Sequence, residues 1–400
     1  MIHNFQLWWN TEIVFGSGSA AKLGELIKRD GAHKVLVHYG RGEYLQTTGV
    51  LDTVRRSLEA AGLDYVELGG VVPNPRISLV YKGIELARSE GVDYVVAIGG
   101  GSAIDSAKCI AVGVFYDGDI WDVCSRDVSL AGKMCTLPTA CVVTMPATGS
   151  EMGLASIIRN EDKLMKSPFS DRVMRPHFAF LDPDYTLTIP RWLLVNGICD
   201  IMSHHCDRYM TDDAHFGYFD HLLEAAMHYL HSELTPKLLD PEQDGYAERG
   251  ELMAVANMGV DEWIAWGRHK EMATHAIAHQ IGALFDVIHG STLTIVYSAW
   301  LPYVCGDNLP RVQRWAEKVW DVPENFGSAE EIAHEGIRRM REWFISLGLP
   351  VKMSDIGIHP TDEQIDRMAD QVLMVNKKPC TGSVKKLYKD DIIQIYRNAL

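Results

Sequence analysis

The sequence predicts an α/β domain with a parallel sheet, followed by an all-α domain, and three observations support this division. In the first half, short runs rich in Val and Ile alternate with stretches of helical periodicity. After residue 190 long helical patterns with few strand candidates follow. A chain of 400 residues is also longer than one hydrophobic core usually serves, so we expect two domains, residues 1–190 and 191–400.

The predicted elements of the first half follow one another as βαβ units require. Strands are expected at 34–40, 65–70 and 93–102, the last of which runs into a glycine turn, and helices at 49–62 and 78–91. Because a helix separates each strand from the next, the strands are expected to pair in parallel.

The charge of the chain argues against nucleic acid and anionic membranes as partners. Lys plus Arg number 38 and Asp plus Glu number 53, which gives a formal net charge of -15.

The N-terminal sequence MIHNFQLWWN has no secretory-signal pattern, and the longest apolar stretches are too short and too broken to span a bilayer. None of the eight cysteines forms a C-x-x-C pattern, so we expect reduced thiols in a cytoplasmic protein.

A phosphate-binding turn is predicted where the strand at 93–102 meets the next helix. The sequence AIGGGSAIDSAK places Gly100, Gly101 and Ser102 at the helix start. Glycines let the backbone approach an anion closely, and the N–H groups of the first helical turn supply partial positive charge. Ser102 and Asp105, three residues apart, also predict a capping box. The alternative is a simple strand-to-helix turn, but three glycines are more than such a turn needs.

Four residues of the second half form a predicted metal site: Asp200, His204, His275 and His289. Asp200 and His204 are separated by four residues, so their side chains share one helix face, and His275 and His279 repeat this spacing. One carboxylate and three imidazoles suit Zn²⁺ or Fe²⁺ and leave a position for a substrate oxygen. Because the chain has 16 histidines, each of these taken singly also fits an ordinary surface or core histidine.

Several segments together resemble the iron-containing alcohol dehydrogenase family and occur in the order found there. These segments are TEIVFGSG, GGVVPNPRISLV, AIGGGSAIDSAK, TMPATGSE, LDPDYTLTIP, NGICDIMSH and ATHAIAHQIGALFDVIHG. They cover the chain from about residue 11 to beyond residue 300. The similarity is greatest to the branch of butanol dehydrogenases and broad-specificity NADPH-dependent aldehyde reductases.

This resemblance implies a fold, an activity and a set of site residues. It implies an N-terminal dinucleotide-binding domain, a helical metal-binding domain, a catalytic cleft between them and a homodimer or larger homo-oligomer. The implied reaction is hydride transfer between NAD(P)H and a small aldehyde or alcohol. The family's metal ligands fall on the four residues above, and its additional histidine falls on His279, which would position the substrate or relay its proton. The alternative for His279 is a packing role behind the metal ligands.

The resemblance also assigns the cofactor contacts. The phosphate loop falls on the glycine turn, the TMPATGS segment supplies three hydroxyl groups, and the family's cofactor lysine has a match. These cofactor residues are Gly100, Gly101, Ser102, Asp105, Thr144, Thr148, Ser150 and Lys166.

The residues after the first long strand favour NADP over NAD. Enzymes that require NAD usually end this strand with a carboxylate that binds the ribose diol, whereas this strand ends in Gly40. Gly40 and Gly42 leave room for a 2′-phosphate, and Arg41 is placed to pair with it. Glu43 opposes this interpretation, because a carboxylate turned inward there would bind the diol and reverse the preference.

Other functions stay open as alternatives. A same-fold metal- and NAD-dependent lyase of the dehydroquinate synthase type is expected to carry one Glu and two His ligands, with several basic residues around a substrate phosphate. A nucleotide-binding regulator needs no open metal site, and a metallohydrolase leaves the glycine turn unexplained.

The segment WIAWGRHK, residues 263–270, is richer in Trp and charge than we expect near a substrate entrance. The ligand types suit iron and zinc equally.

Overall fold

The chain folds into two compact units. The sheet unit comprises Trp8–Pro190 and Asp240–Val260, and the helical unit comprises Met1–Leu7, Arg191–Leu239 and Asp261–Leu400. The structure is a computed structural model, and it describes residues 5, 7, 9–42, 44–130, 132–260 and 262–400. No helix within these described residues is long and apolar enough to cross a membrane.

The sheet unit alternates strands and helices along most of its length. Its strands are β1 Glu12–Phe15, β2 Lys34–Gly40, β3 Asp64–Val71, β4 Tyr94–Gly99, β5 Thr139–Val143, β6 Ala155–Asn160, β7 Met165–Ser170 and β8 Phe178–Leu181. Its first helices are α1 Leu23–Arg29, α2 Tyr44–Thr47, α3 Val50–Ala61, α4 Ile77–Glu90, α5 Gly101–Gly113 and α6 Ile120–Cys124. Short 3-10 helices lie at Ser19–Lys22, Arg172–Met174 and Pro183–Thr186.

Six of these strands form one parallel sheet in the order β1-β8-β5-β4-β2-β3, and β6 and β7 form a separate antiparallel pair. The central strands β4 and β5 are buried along their whole length, whereas the edge strand β1 is largely exposed. A parallel strand covered on both faces has a continuous apolar sequence, which is why β4 could be recognised. The predicted parallel α/β fold is confirmed, although the strand expected at 93–102 already ends at Gly99.

The rest of the chain is mostly helical, as predicted. The remaining helices are α7 Arg191–Tyr209, α8 Tyr218–Tyr229, α9 Thr235–Leu239, α10 Tyr246–Val260, α11 Ala273–Phe285, α12 His289–Val304, α13 Leu309–Val319, α14 Ala329–Ser346, α15 Asp362–Asn376 and α16 Lys389–Asn398. A π-helical turn at Leu230–Leu234 joins α8 to α9, and 3-10 helices lie at Glu262–Ala265, Cys305–Asn308 and Met353–Ile356. Helix α12 packs against α7, α11, α14 and α16, so it is the central helix of the helical unit.

The two compact units divide near the predicted boundary at residue 190, and one helix of the second half lies in the sheet unit. Helix α10 belongs to the sheet unit. The hydroxyl of Tyr246 accepts a hydrogen bond from the backbone N–H of Ser17 at 3.1 Å, and Gly250 packs against the ring of Phe15. The periodicity of α10 resembles that of its neighbours along the chain, so the sequence does not show which unit it contacts.

A glycine at the start of α12 allows this helix to lie close to α7. A Cβ atom added to Gly290 would lie 2.2 Å from the carbonyl oxygen of Asn196, which is a backbone atom that cannot turn aside. We therefore expect Gly290→Ala to lower the free energy of unfolding of the metal-free protein by about 1–3 kcal/mol in urea titrations. This destabilisation is opposite to the intrinsic effect of the substitution, because Ala is normally more favourable than Gly within a helix.

Gly306→Ala is the matched control for this substitution. It lies shortly after α12 in the same unit, and nothing lies within 4 Å of the added Cβ. Equal stability of the Gly290→Ala variant and the wild-type protein would show that the close approach of α7 and α12 is not required.

Candidate metal and cofactor sites

One face of α7 carries a row of acidic and imidazole side chains. Asp200, His204 and Asp207 follow one another at spacings of four and three residues, so they project from the same side of the helix. All three are buried. This burial is unusual for ionisable side chains, which are rarely buried unless they are paired or bind a metal.

The other imidazoles come from two consecutive helices. His275 and His279 lie one turn apart on α11, and His289 is the first residue of α12. Helix α11 ends at Phe285, and its C-cap Asp286 takes a left-handed conformation with φ 57°, where the chain turns toward α12. The short turn places His289 beside the other imidazoles, with its ring centroid 5.3 Å from that of His275.

Three of the four predicted metal ligands are imidazoles, and they surround a carboxylate oxygen of the fourth, Asp200. Oδ1 of Asp200 lies 3.9 Å from Nε2 of His204, 3.9 Å from Nε2 of His275 and 3.8 Å from Nε2 of His289. Within the described part of the chain, the ligand atoms of Asp200, His275 and His289 all lie within 4.8 Å of one another, and His204 is not part of this group. A cation held about 2.0–2.2 Å from each ligand has ligand atoms on the order of 3–4 Å apart, so these three residues fit one divalent metal, and His204 lies at a fitting distance from Asp200.

The protonation state of His204 suits metal binding. Burial, reinforced by the nearby His275 and Arg208, lowers the pKa of His204 well below its usual value of 6.5. A neutral imidazole has the free lone pair that a metal requires. Nε2 of His275 is buried and has no hydrogen-bond partner among the described residues, which a bound cation would supply.

His279 belongs to the same cluster. It is buried, and its ring centroid lies 5.0 Å from that of His289 and 6.2 Å from that of His275. The structure therefore brings together all five residues of the predicted metal and catalytic set.

The glycine turn that is predicted to bind phosphate lies where three strands of the sheet end. Tyr39 of β2 pairs with Ile98 of β4, and Gly99 of β4 pairs with Val143 of β5. The segments that follow these strands are therefore neighbours at one edge of the sheet. Strand β3 lies on one side of β2 and β4 lies on the other side, so the strand order reverses between β2 and β4. Open α/β sheets bind ligands at such topological switch points.

Gly100 precedes α5 and Gly101 begins it, and both glycines lie close to residues of the TMPATGS segment. The sequence did not indicate this contact. A Cβ on Gly101 would lie 2.3 Å from Oγ1 of Thr148, and one on Gly100 would lie 2.9 Å from Cβ of Met145. The absence of side chains at these glycines therefore brings the TMPATGS segment against the start of α5. Ser102 is half-buried at the same helix start.

The predicted capping box is wrong. The N-cap of α5 is Gly100, and no side chain caps the helix. The carboxylate of Asp105 is instead buried and accepts hydrogen bonds from Oγ of Ser150 at 2.6 Å and from the N–H of Ile157 at 3.0 Å. These contacts hold the TMPATGS segment and β6 to α5, so in the described structure Asp105 and Ser150 bind each other.

A buried lysine that the sequence reasoning missed completes this network. Nζ of Lys108 donates hydrogen bonds to the carbonyl oxygens of Ser150 at 2.6 Å, Gly153 at 2.8 Å and Ala155 at 3.1 Å. Burial lowers the pKa of Lys108, and the nearby Asp105 opposes this shift. The signal was present in the sequence, because Lys108 is a charged residue three positions after Asp105 on an otherwise apolar helix.

The other predicted cofactor residues surround this edge of the sheet unit. Nζ of Lys166, on β7, donates a hydrogen bond to Oδ1 of Asn74 at 3.1 Å, and both side chains are buried. Thr144 is buried, and Oγ1 of Thr148 accepts a hydrogen bond from the N–H of Ser150 at 3.1 Å. Of the remaining four positions, Gly40 ends β2 and is half-buried, Arg41 and Gly42 follow it and are exposed, and Glu43 lies outside the described residues.

Comparison with known proteins decides between the candidate families. Residues 10–183 match the model of the iron-containing alcohol dehydrogenases, and residues 194–400 match the C-terminal model of the Fe-containing alcohol dehydrogenase family. The chain belongs to the iron-containing alcohol dehydrogenase family. The resemblance predicted from the motifs is thereby confirmed.

Relatives within this family match the chain over nearly its whole length. A probable NADH-dependent butanol dehydrogenase of Bacillus subtilis is 34% identical, with 100% of both chains covered. The NADPH-dependent aldehyde reductase YqhD of Escherichia coli is 33% identical over 89% of this chain and 90% of its own. The crystal structure of an NADH-dependent butanol dehydrogenase A from Thermotoga maritima has a TM-score of 0.92 at 34% identity, covering 100% of this chain and 99% of that one.

The segment at 263–270, which departs from the pattern expected of the family, has a packing role in the structure. Nη2 of Arg268 pairs with Asp220 at 2.7 Å, and Arg311 pairs with the same carboxylate at 2.7 Å. Trp266 contacts the rings of Phe5 and Phe219 edge-on, with centroids 5.4 and 5.3 Å apart. These packing contacts explain the presence of Arg268 and Trp266 in this segment, and no contact with a substrate is needed to explain them.

The contact between Gly101 and Thr148 predicts the effect of a minimal substitution. We expect Gly101→Ala to weaken dinucleotide binding at least tenfold, because the added Cβ forces apart α5 and the TMPATGS segment. Bound metal is expected to persist, because the metal ligands lie in the other unit. Fluorescence titration with NADH and NADPH measures the first effect, and metal analysis measures the second.

Gly245→Ala is the control in the same unit, since its Cβ would make only ordinary contacts, 3.5 Å or longer. If a folded Gly101→Ala variant binds the dinucleotide as tightly as this control, the cofactor phosphates bind elsewhere.

Proposed function

We propose that this chain is a metal-dependent alcohol dehydrogenase that also acts as an aldehyde reductase, with a small aldehyde or alcohol as substrate and NAD(P)H as its redox partner. The observation that carries this proposal is the convergence of three imidazole nitrogens on the carboxylate of Asp200, in a chain whose other unit has a glycine turn at its sheet edge. The two family models favour the oxidoreductase over the same-fold lyase.

The metal and the dinucleotide each have a set of residues that would hold them. Asp200, His204, His275 and His289 would bind one divalent cation, either Fe²⁺ or Zn²⁺. The dinucleotide would lie along the eight positions expected from the family motifs, with its phosphates at the start of α5. When bound, the cation supplies a Lewis acid for the substrate oxygen, and the dinucleotide supplies or accepts the hydride.

The protein's own residues hold the substrate and handle its proton. We assign to His279 the role of positioning the substrate oxygen and relaying its proton, because its ring lies beside that of His289 and one helical turn from His275. Burial keeps the surrounding imidazoles largely out of water, which strengthens electrostatic interactions inside the site. The cation of Lys166 would contribute to holding the dinucleotide.

Substitution of a metal ligand tests the assignment directly. Asp200→Ala and His275→Ala are each expected to lose bound metal and nearly all turnover, while dinucleotide binding persists, because the two sets of residues belong to different units. Metal analysis, aldehyde reduction and dinucleotide titration provide the three measurements. His221→Ala is the control, because that histidine is largely exposed on α8. A ligand variant that retains stoichiometric metal and ordinary activity would show that the assignment is wrong.

We propose further that the chain prefers NADP. The backbone N–H of Arg41 donates to the carbonyl of Val71 at 2.8 Å, so the turn after β2 is anchored to β3, and the Arg41 side chain is exposed. Glu67 on β3 is already bound by Arg55 at 2.7 Å and by Tyr39 at 3.0 Å, so its carboxylate is engaged by these two side chains. Several relatives are named NADH-dependent, so kinetics must decide.

Steady-state kinetics with both reduced cofactors tests this preference. We expect a higher kcat/KM for NADPH than for NADH, and we expect Arg41→Ala to lower the NADPH value roughly three- to tenfold with little effect on NADH, because only NADPH carries a 2′-phosphate for Arg41 to pair with. A kcat/KM for NADH well above that for NADPH would overturn the proposal. In that case Glu43→Ser should shift the ratio toward NADPH.

We also propose a cytoplasmic homodimer or larger homo-oligomer. The edge strand β1 supports an association between copies, because it exposes Ile13 and Phe15 beside a row of edge backbone groups. All eight cysteines lie within the described residues and are free thiols, which suits a reducing compartment.

A further inference from the structure

We propose that Asp207 is a positioning residue of the metal site and that it acts through His275. This inference rests on the proposed metal-dependent function. Asp207 belongs neither to the expected ligands nor to the family motifs quoted above, yet it projects from the same face of α7 as Asp200 and His204.

The contact between Asp207 and His275 determines which imidazole nitrogen is available to a metal. Nδ1 of His275 donates a hydrogen bond to Oδ2 of Asp207 at 2.6 Å. A proton held on Nδ1 leaves the lone pair on Nε2, which is the nitrogen that lies 3.9 Å from Oδ1 of Asp200. Asp207 therefore selects the tautomer in which His275 can act as a ligand.

Two further donors hold the carboxylate of Asp207 in place. Oγ1 of Thr274 lies 2.7 Å from Oδ1 and 2.8 Å from Oδ2, and the hydroxyl of Tyr297 donates to Oδ1. Thr274 lies on α11 and Tyr297 lies on α12. Asp207 thus joins the three helices that carry the four metal ligands.

The charge of Asp207 also has a chemical effect on the ligand. Asp207 is fully buried, and burying a carboxylate is costly unless a positive charge compensates it. Thr274 and Tyr297 are neutral donors, so they satisfy its oxygens without neutralising it. A cation bound to Nε2 of His275 would provide that compensation through the ring, and the carboxylate would in turn make His275 a stronger donor to the metal.

Cobalt binding to the metal-stripped protein tests this inference. Co²⁺ serves as the probe because its visible absorption reports the ligand geometry, and competition with a chelator gives the affinity. We expect Asp207→Ala to lower the Co²⁺ affinity about 10–100-fold and to change the visible spectrum. Asp207→Asn retains an oxygen acceptor of the same shape for His275 and should lose less affinity than the Ala variant, but still several-fold, because the charge is gone.

Tyr396→Phe is the matched control. Its hydroxyl is also buried and also bonds to α11, at the carbonyl of Ile277 at 2.9 Å, but it does not contact Asp207 or a ligand. This variant is expected to lose stability without a change in Co²⁺ affinity or spectrum. A merely structural role of Asp207 would make its variants behave in the same way as this control.

The possible results separate this inference from the proposed function. If the wild-type protein binds Co²⁺ and a folded Asp207→Asn protein binds it equally tightly with the same spectrum, the inference is wrong and the metal site stands. If the wild-type protein binds no divalent metal, the proposed metal-dependent function itself fails. Should Asp207→Ala not fold, the Asn variant alone decides, because it preserves volume and an acceptor.

Discussion

The carboxylate of Asp200 is surrounded by the imidazoles of three histidines of the helical unit, of which His204 and His275 are buried and His289 is half-buried. Such a group of inward-facing polar side chains is costly to bury, and it is stable only when hydrogen bonds or a cation compensate it. The packing of α7, α11 and α12 sets the distances, and Gly290 allows the close approach of α12 to α7. A divalent cation at this point would stabilise the folded unit in proportion to its affinity, by about 2.7 kcal/mol at a concentration one hundred times the Kd.

In the sheet unit, we propose that the start of α5 presents backbone N–H groups to an anion, in a protein of net charge -15. The features that support this are the dipole of α5 and a close contact between two chain segments. Gly101 allows Thr148 to lie against the helix start, and Lys108 holds the following loop by three carbonyl oxygens. Because Lys108 is buried, it holds the shape of the loop without adding a positive charge to the acidic surface.

The sequence predicted the elements and residues whose signals are local. The apolar run of β4 and the four-residue spacing of Asp200 and His204 each follow from one helix or strand, and these elements are confirmed. The placement of α10 and the contacts of Asp105 depend on partners that are distant along the chain, so the sequence did not show the first and the capping box predicted for Asp105 was wrong. Asp207 was missed although its spacing from Asp200 placed it on the same face, because its role depends on a contact with His275, which is distant along the chain.

The central claim is that Asp200, His204, His275 and His289 bind one divalent metal. Anomalous diffraction from crystals of the purified protein, recorded on both sides of the iron and zinc absorption edges, tests it most directly. We expect a single strong peak about 2.0–2.2 Å from Nε2 of each histidine and from a carboxylate oxygen of Asp200. The absence of a peak in crystals grown with saturating metal, or a peak bound by other residues, would contradict it.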